Sequence, residues 1–237
     1  MAEPAVRREV VSFSRRGARL TAGEQRAWDR YAGCFLLDVA RGPRSTSVLP
    51  GPPVDWAEVF GRLAPLVLDV GSGSGEAPVA AAVAQPDRDF VAVEVYRPGV
   101  AKTLQAAGRA GVANLRVVQA DAVDVLTRMV APSALAEVWT FFPDPWPKSR
   151  HHKRRLVSPA FAVLVASRLA PGGAWRLATD WPAYRDHIAA VVATCPTLHD
   201  PYAGSPAPRG RARPVTRYER KAAAAGRAVT ELELRRR

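Results

Sequence analysis

The chain has 237 residues, 48% of them hydrophobic, which is enough for one α/β domain with a sizeable core and short extensions. Its 34 Lys and Arg outnumber its 22 Asp and Glu, and the formal net charge of +12 favours nucleic acid or another anionic partner. The two cysteines are far apart in the sequence, which argues against a disulfide framework and a zinc site. No apolar run approaches membrane-spanning length, and the N-terminal residues do not resemble a signal peptide, so we expect a cytoplasmic protein without a membrane partner.

The N-terminal segment is polar and rich in arginine. It predicts a basic, partly disordered arm over residues 1–30, followed by one domain over residues 31–237. Thr21 and Glu24 have the spacing of a capping box, so a short helix is expected to begin there. Residues 42–55 are rich in Pro, Gly and Ser and predict a loop, and residues 56–63 predict a short helix.

The middle of the chain alternates apolar strand-like and helical segments. This pattern predicts a doubly wound, Rossmann-like, mainly parallel α/β sheet. The expected strands are 66–70, 90–95, 115–119, 135–142 and 174–178. The expected helices are 77–84, 99–110, a segment between Asp121 and Met129, an apolar segment after residue 156, and 181–193. Toward the C-terminus the pattern predicts a tight turn at 171–173, a mobile loop at 201–214 and an edge strand at 229–234.

A glycine-rich turn follows the first expected strand, where Gly71, Gly73 and Gly75 let backbone N–H groups approach a ligand closely. The spacing departs from the dinucleotide fingerprint at Glu76, so a nicotinamide oxidoreductase is a poor match. Acids also stand near the carboxyl ends of the first three strands: Asp69, Glu94 and Asp121. Because carboxylates accept hydrogen bonds from ribose hydroxyls but repel a pyrophosphate, the pattern favours a nucleoside without phosphates, such as S-adenosylmethionine.

A proline-rich segment follows the fourth expected strand, with Pro143, Pro145 and Pro147 alternating along it. Each proline fixes its own φ and pushes the preceding residue toward extended geometry, so residues 141–156 are predicted to be a stiff, non-helical loop. Asp144 is held between two of these prolines, and a run of cationic side chains comes directly after them. A fixed carboxylate beside a basic cluster indicates chemistry on a polyanion, although such segments also occur as linkers or solvated faces.

These segments together resemble the tRNA (guanine-N7)-methyltransferases, a class I S-adenosylmethionine-dependent family that modifies guanosine 46 of the tRNA variable loop. The resemblance rests on the glycine-rich turn and on residues 142–148 followed by 150–155. Shorter matches occur at 16–21, 94–100, 178–181 and 216–219, so the likeness spans about residues 11–233.

The resemblance implies a role for each matching residue. A cofactor site for S-adenosylmethionine would be formed by Asp69, Gly71, Gly73, Glu94, Asp121 and Asp144. Asp144 would lie between cofactor and guanine as the catalytic residue. Substrate contacts would come from Lys148, Asp180, Thr216, Arg217, Tyr218 and Glu219. RNA contacts would come from Arg150, His151, His152, Lys153, Arg154 and Arg155. The family usually has Glu at position 69, so Asp69 keeps the charge but shortens the reach.

The expected chemistry depends on orientation more than on proton removal, because guanine N7 carries a free lone pair. We expect Asp144 to accept hydrogen bonds from the guanine N1–H and amino group and to favour the positive charge that develops on the ring, with Asp180 sharing this role. The target base has to leave its tertiary pairing, while the basic run and the N-terminal arm hold the tRNA backbone.

Two other functions remain open from the sequence. A small-molecule or protein methyltransferase would share the cofactor fold but would not need the basic run. A noncatalytic RNA-binding protein on a decayed methyltransferase fold would be expected to lack the cofactor-site acids, yet Glu94, Asp121 and Asp144 are present. No metal site is expected, because His151 and His152 lack partner ligands at helical spacing. A monomer is the expected oligomeric state.

Overall fold

The computed structural model describes residues 19–210 and 213–237, in which seven strands form one sheet. In chain order the strands are β1 (Leu66–Val70), β2 (Asp89–Val93), β3 (Leu115–Val118), β4 (Leu135–Phe141), β5 (Leu169–Thr179), β6 (Leu198–His199) and β7 (Thr230–Arg236). Their order across the sheet is β3-β2-β1-β4-β5-β7-β6. β7 runs antiparallel to both of its neighbours, and the pairs from β3 to β5 are parallel. The Rossmann-like, mainly parallel fold is therefore confirmed.

Helices connect most of these strands. They are α1 (Ala22–Phe35), α2 (Trp56–Phe60), α3 (Glu76–Ala84), α4 (Arg97–Ala110), α5 (Ala122–Arg128), α6 (Pro159–Arg168), α7 (Pro182–Ala193) and α8 (Arg217–Ala224). The capping box at the start of α1 is confirmed, because the Thr21 and Glu24 side chains each bond to the other residue's backbone N–H. None of the helices in the described residues is long and apolar enough to cross a membrane.

α1, the first helix of the described residues, packs against α4. The ring of Tyr31 lies so close to Gly108 that a Cβ there would stand 2.3 Å from the ring, so only glycine permits this approach. The expected boundary between arm and domain at residue 30 falls within α1. Residues 1–18 of the expected arm lie outside the described residues.

The sheet separates two apolar cores because side chains alternate along each strand. Leu66, Leu68 and Val70 of β1 face one core, which is closed by α5, α6 and α7. Val67 faces the other core, which is closed by α1, α3 and α4. On this second face the helices cover β1, β2 and β3, whereas β4, β5 and β7 present charged side chains there, described below.

Two expectations about the carboxy-terminal half of the sheet were wrong. The segment 171–173 is not a turn before the fifth strand but lies within β5, at a break in register opposite Leu135 and Glu137. Gly172 has a positive φ of 74° at this break, and the pairing with β4 resumes at Ala174, so the strand continues beyond it. The segment near residue 230 forms β7, but β7 is not the last strand of the sheet, because the two-residue β6, which the sequence pattern did not predict, pairs with Arg235 and Arg236.

The proline-rich segment was only partly predicted. Residues up to Pro147 are irregular, but Ser149–Arg154 form a short 3₁₀ helix, so the expectation of a non-helical loop through residue 156 was wrong. No proline follows Pro147 in this segment, so nothing in its backbone prevents helical turns there. α8 was not predicted either. Thr216 caps it by accepting a hydrogen bond from Glu219 N at 3.4 Å.

Candidate active site

A cavity of about 190 Å³ opens at the carboxyl ends of the central strands; it is called the site cavity below. Its walls come from the turn after β1, the segment between β2 and α4, the start of α5, the proline-rich segment and α8. The strand order reverses between β1 and β4, and open α/β sheets bind ligands outside the carboxyl ends of strands at such a switch point. The fold alone therefore predicts a ligand site here.

The glycine turn brings backbone close to the cavity. Gly71 and Gly73 both have positive φ, at 73° and 61°, a conformation that glycine adopts without strain. A Cβ on Gly99 of α4 would stand 2.5 Å from the carbonyl oxygen of Gly73, so helix and turn approach each other as closely as backbones can. Gly99 was missed as a site residue, although it lies in the matching segment 94–100.

Glu94 is held by backbone rather than by a cationic partner in the described part of the chain. Its carboxylate accepts hydrogen bonds from Gly73 N at 2.8 Å and Tyr96 N at 2.9 Å. Burial raises the pKa of Glu94 despite these bonds and a weaker attraction from Arg217. A half-buried carboxylate whose pKa is raised favours a ligand that donates hydrogen bonds to it.

The other two strand-end acids are placed differently from each other. Asp121 lines the site cavity and caps α5 by accepting a hydrogen bond from Val123 N at 2.9 Å, and burial raises its pKa. Asp69 is only 3% exposed, and burial, with a smaller effect from Glu94, raises its pKa to about 7. It lines an adjoining space of about 30 Å³, large enough for about one water, instead of the site cavity itself. Asp69 therefore lies beside the site cavity and not in its lining.

The proline-rich segment forms the outer wall of the site cavity, with Asp144 exposed at its rim. Phe142 N donates to Ala178 O at 2.8 Å, and Phe142 has a φ of 51°, which L residues rarely adopt. Such backbone strain persists only where the surroundings fix it. Arg155 supplies part of that support, since its Nε donates to Pro145 O at 2.9 Å.

Arg155 does not belong with the other cationic side chains. It is 7% exposed and packs on the Tyr184 ring at 5.0 Å, so it anchors the proline-rich segment from inside. By contrast Lys148, Arg150, His152 and Lys153 are exposed along the 3₁₀ helix and its start, and His151 is half-buried. Arg154 lies 3.7 Å from the centre of the Trp146 ring. The structure therefore presents an exposed basic run without Arg155, a difference that sequence spacing does not show.

The C-terminal helix α8 completes the wall. Arg217 N donates to Glu76 Oε2 at 2.6 Å, and Arg220 pairs with the same carboxylate at 2.9 Å, so α8 is tied to the start of α3. Tyr218 stacks on Phe142 with ring centres 6.1 Å apart and planes at 18°. Arg217 and Tyr218 line the site cavity, and Thr216 lines the small adjoining space.

Two expected substrate residues are engaged elsewhere. Asp180 pairs with Arg227 at 2.8 Å. Glu219 pairs with Arg209 and with Arg213, and these ion pairs outweigh the effect of burial, so its pKa is lowered. The residues that sequence reasoning missed in the cavity wall include Tyr96, Gly99, Lys102, Phe142 and Leu156. Within residues 19–210 and 213–237, no group of three or more His, Cys, Asp or Glu side chains is placed to hold a metal ion.

Comparison with known proteins adds an independent finding. A protein-family model described as "Putative methyltransferase" matches residues 63–232. The chain is 49% identical over 233 residues to the tRNA (guanine-N(7)-)-methyltransferase of Cutibacterium acnes, covering 98% of this chain and 84% of that protein. It is also 49% identical over 230 residues to the enzyme of the same name from Nocardioides sp., covering 97% of this chain and 88% of that one.

The fold has solved counterparts as well. The crystal structure of the 16S rRNA methyltransferase KamB superposes with a TM-score of 0.56 at 19% identity, covering 84% of this chain and 98% of that one. At this identity the likeness concerns the fold, and it agrees with the strand order and switch-point cavity described above. Together with the long, nearly full-length sequence matches, these findings show that the chain is a member of the tRNA (guanine-N(7)-)-methyltransferase family of enzymes.

Proposed function

We propose that the protein transfers a methyl group from S-adenosylmethionine to N7 of guanosine 46 in the variable loop of tRNA. The observation that carries the proposal is the site cavity itself. Half-buried carboxylates held by backbone N–H groups line it, and the proline-rich segment that carries Asp144 continues from it into an exposed basic run. A cationic nucleoside fits the first feature and an RNA backbone fits the second.

The residues present fit S-adenosylmethionine. Glu94 and Asp121 would accept hydrogen bonds from its ribose hydroxyls or exocyclic amine, and Gly71 and Gly73 allow close backbone approach. Asp69 would face its cationic amino group, and the 30 Å³ space beside Asp69 leaves room for a water between them. Bound there, the cofactor supplies an electrophilic methyl group.

The chain's own contribution is to place guanine and to favour the charge that develops on it. Asp144 would accept hydrogen bonds from the guanine N1–H and amino group, which fixes the ring with N7 toward the cavity. Its negative charge would also favour the positive charge that grows on the purine. No base is needed to remove a proton, because the N7 lone pair is free. Phe142 and Tyr218 offer an aromatic wall beside this position.

The basic run would hold the RNA. Lys148, Arg150 and Lys153 are exposed and suited to phosphate contacts, and His151, His152 and Arg154 extend the same surface. Arg155 is assigned a positioning role instead, because its guanidinium is buried against Pro145 and Tyr184. Asp180 and residues 216–218 would complete the substrate side, and Glu219 would act through its arginine partners. We also propose that the enzyme works in the cytoplasm as a monomer.

Methyl transfer from labelled S-adenosylmethionine to unmodified tRNA transcripts tests the proposal, with G compared with A at position 46. Label recovered as 7-methylguanosine from the G transcript alone is the expected result. Equal labelling of both transcripts would move the target to another nucleotide. Absence of labelling with tRNA binding intact would favour a noncatalytic RNA-binding protein and overturn the proposal.

A further inference from the structure

Arg213 is a buried cation directly behind the wall of the site cavity. Its side chain is 2% exposed. Its Nη2 donates to Glu231 Oε1, and its Nη1 lies 3.0 Å from Glu219 Oε2. One guanidinium therefore bridges the first turn of α8 and strand β7. A planar fork with several donors can hold two carboxylates at once, which a lysine ammonium does less well.

The same guanidinium packs on the aromatic wall. Its Cζ lies 5.2 Å from the centre of the Phe141 ring and 5.8 Å from that of Phe142. Its Nε has no hydrogen-bond acceptor among the described residues, so the ring faces are the favourable surroundings available to that part of the cation. Phe142 in turn stacks on Tyr218 of α8. Arg213 thus contacts both sides of this stacked pair: it packs on the ring of Phe142, and it holds α8, which carries Tyr218, through Glu219.

The backbone of Arg213 also makes hydrogen bonds of its own. Arg213 N donates to Gly210 O at 2.9 Å, and Arg209 Nε donates to Arg213 O at 3.1 Å. Arg209 also pairs with Glu219. Glu219 therefore has two arginine partners, and nothing in this arrangement places its carboxylate in the lining of the site cavity.

We infer that Arg213 is a positioning residue for the methyl-transfer site: through Glu219 and the two phenylalanine rings it holds α8 and Phe142 in the arrangement that receives the target base. Glu219 then acts through Arg213 and does not touch the substrate. This inference deepens the proposed function and rests on it for the identity of the substrate. The coupling between Arg213 and α8 is a property of the fold and does not depend on the proposed function.

The test uses Arg213→Met and a matched control, Arg176→Met. Arg176 also bridges two glutamates, with Nε 3.0 Å from Glu137 and Nη1 2.6 Å from Glu233. Neither arginine lines the site cavity, but Arg213 packs on Phe142 and pairs with Glu219 of α8, contacts that Arg176 does not make within the described residues. Two readouts are compared in the full-length enzyme: kcat at saturating S-adenosylmethionine and tRNA, and hydrogen exchange of the backbone amides of Phe142 and of residues 217–220.

For Arg213→Met we expect kcat to fall by about 10- to 100-fold and the α8 amides to exchange about tenfold faster, since misplaced groups slow a step that depends on orientation. For Arg176→Met we expect both quantities to stay within about threefold of wild type, even if this variant loses as much thermal stability as Arg213→Met. Arg213→Lys, which keeps the charge, recovers part of both losses. Should Arg213→Met fail to fold, Glu219→Gln removes the same bridge and carries the same expectation.

Equal changes in Arg213→Met and Arg176→Met, or none in Arg213→Met, would overturn the inference. The two proposals can fail separately. A wild-type enzyme that methylates no tRNA guanine would remove the proposed function, while the exchange of the α8 amides would still decide whether Arg213 positions that helix.

Discussion

Two cavities of this protein are lined by charged side chains, and the comparison between them shows what distinguishes a site from a scaffold. In the site cavity, Glu94 and Asp121 are held by backbone N–H groups, and burial raises the pKa of each. The second cavity, of about 620 Å³, lies over β4, β5 and β7 and alternates arginine with glutamate. There Arg88, Glu137, Arg176, Glu233 and Arg235 form a continuous row of ion pairs.

The pKa of Glu137 shows the contrast. Burial alone would raise it, but the hydrogen bond from Trp139 and the pairs with Arg88 and Arg176 outweigh burial and lower it. Charges that neutralise one another leave little for a ligand to gain, and removal of one partner would leave the other charge uncompensated. Carboxylates that are partly removed from water and make no salt bridge are costly to ionise until a cationic ligand binds beside them. Whether the charged side chains form ion pairs, more than how many of them there are, therefore distinguishes the site cavity from the second cavity.

The largest effect is expected for Asp144→Ala, which tests the role of the site cavity. We expect methyl transfer to tRNA to fall by about 100- to 1,000-fold, because the variant loses the group that orients guanine and balances its developing charge. S-adenosylmethionine affinity, measured by calorimetry, should stay within about threefold, since Asp144 is exposed at the rim. Full turnover in the variant would remove Asp144 from the mechanism.

Glu94→Gln and Glu233→Gln compare the two cavities directly. Glu94→Gln should weaken S-adenosylmethionine binding by about 10- to 100-fold and change the free energy of unfolding by less than about 1 kcal/mol, because backbone N–H groups, and no salt bridge among the described residues, hold this carboxylate. Glu233→Gln should leave cofactor binding unchanged and destabilise the fold by about 1–3 kcal/mol, because it leaves Arg176 and Arg235 without their shared partner. Calorimetry and urea unfolding measure both. The same pattern in both variants would contradict the distinction.

Single alanine substitutions of Lys148, Arg150 and Lys153 test the exposed basic run. Each should weaken tRNA binding by about three- to tenfold near physiological salt and reduce the slope of log affinity against log salt by about 1, because each removes one phosphate contact. The control is Arg109→Ala, an exposed arginine at the end of α4, for which no change is expected. An unchanged slope in all three variants would place the RNA elsewhere.

The smallest expected effect concerns the pH dependence given by Asp69. Burial raises its pKa to about 7, so it is largely protonated at pH 6 and largely ionised at pH 8. A cationic ligand favours the ionised form, so cofactor affinity should rise by up to about tenfold as pH rises through 7. The ratio of wild-type affinity to that of Asp69→Asn isolates this effect from the titration of the ligand itself. A ratio that stays constant with pH would show that Asp69 does not sense the ligand's charge.

The local segments were determined by the sequence itself. The apolar runs of β1 to β4, the glycine turn and the capping box at Thr21 were all predicted close to their observed bounds. Each depends on residues near one another in the chain, so periodicity, φ restrictions and cap spacing are sufficient to define it. The acids at the strand ends could be placed at one edge of the sheet for the same reason, since parallel strands share that edge.

Only the tertiary structure decided how distant charges pair. Arg155 looks like its cationic neighbours in the sequence, yet it is buried under the proline-rich segment because Tyr184 and Pro145 meet it there. Glu219 lies in a motif that suggests substrate contact, yet two arginines from residues 209–213 hold its carboxylate. The sequence pattern predicts β7 as an edge strand, yet the short β6 pairs with its last residues. In each case the partner lies at least six residues away in the chain, and often much further. The local sequence pattern carries no information about which distant residue will be in contact.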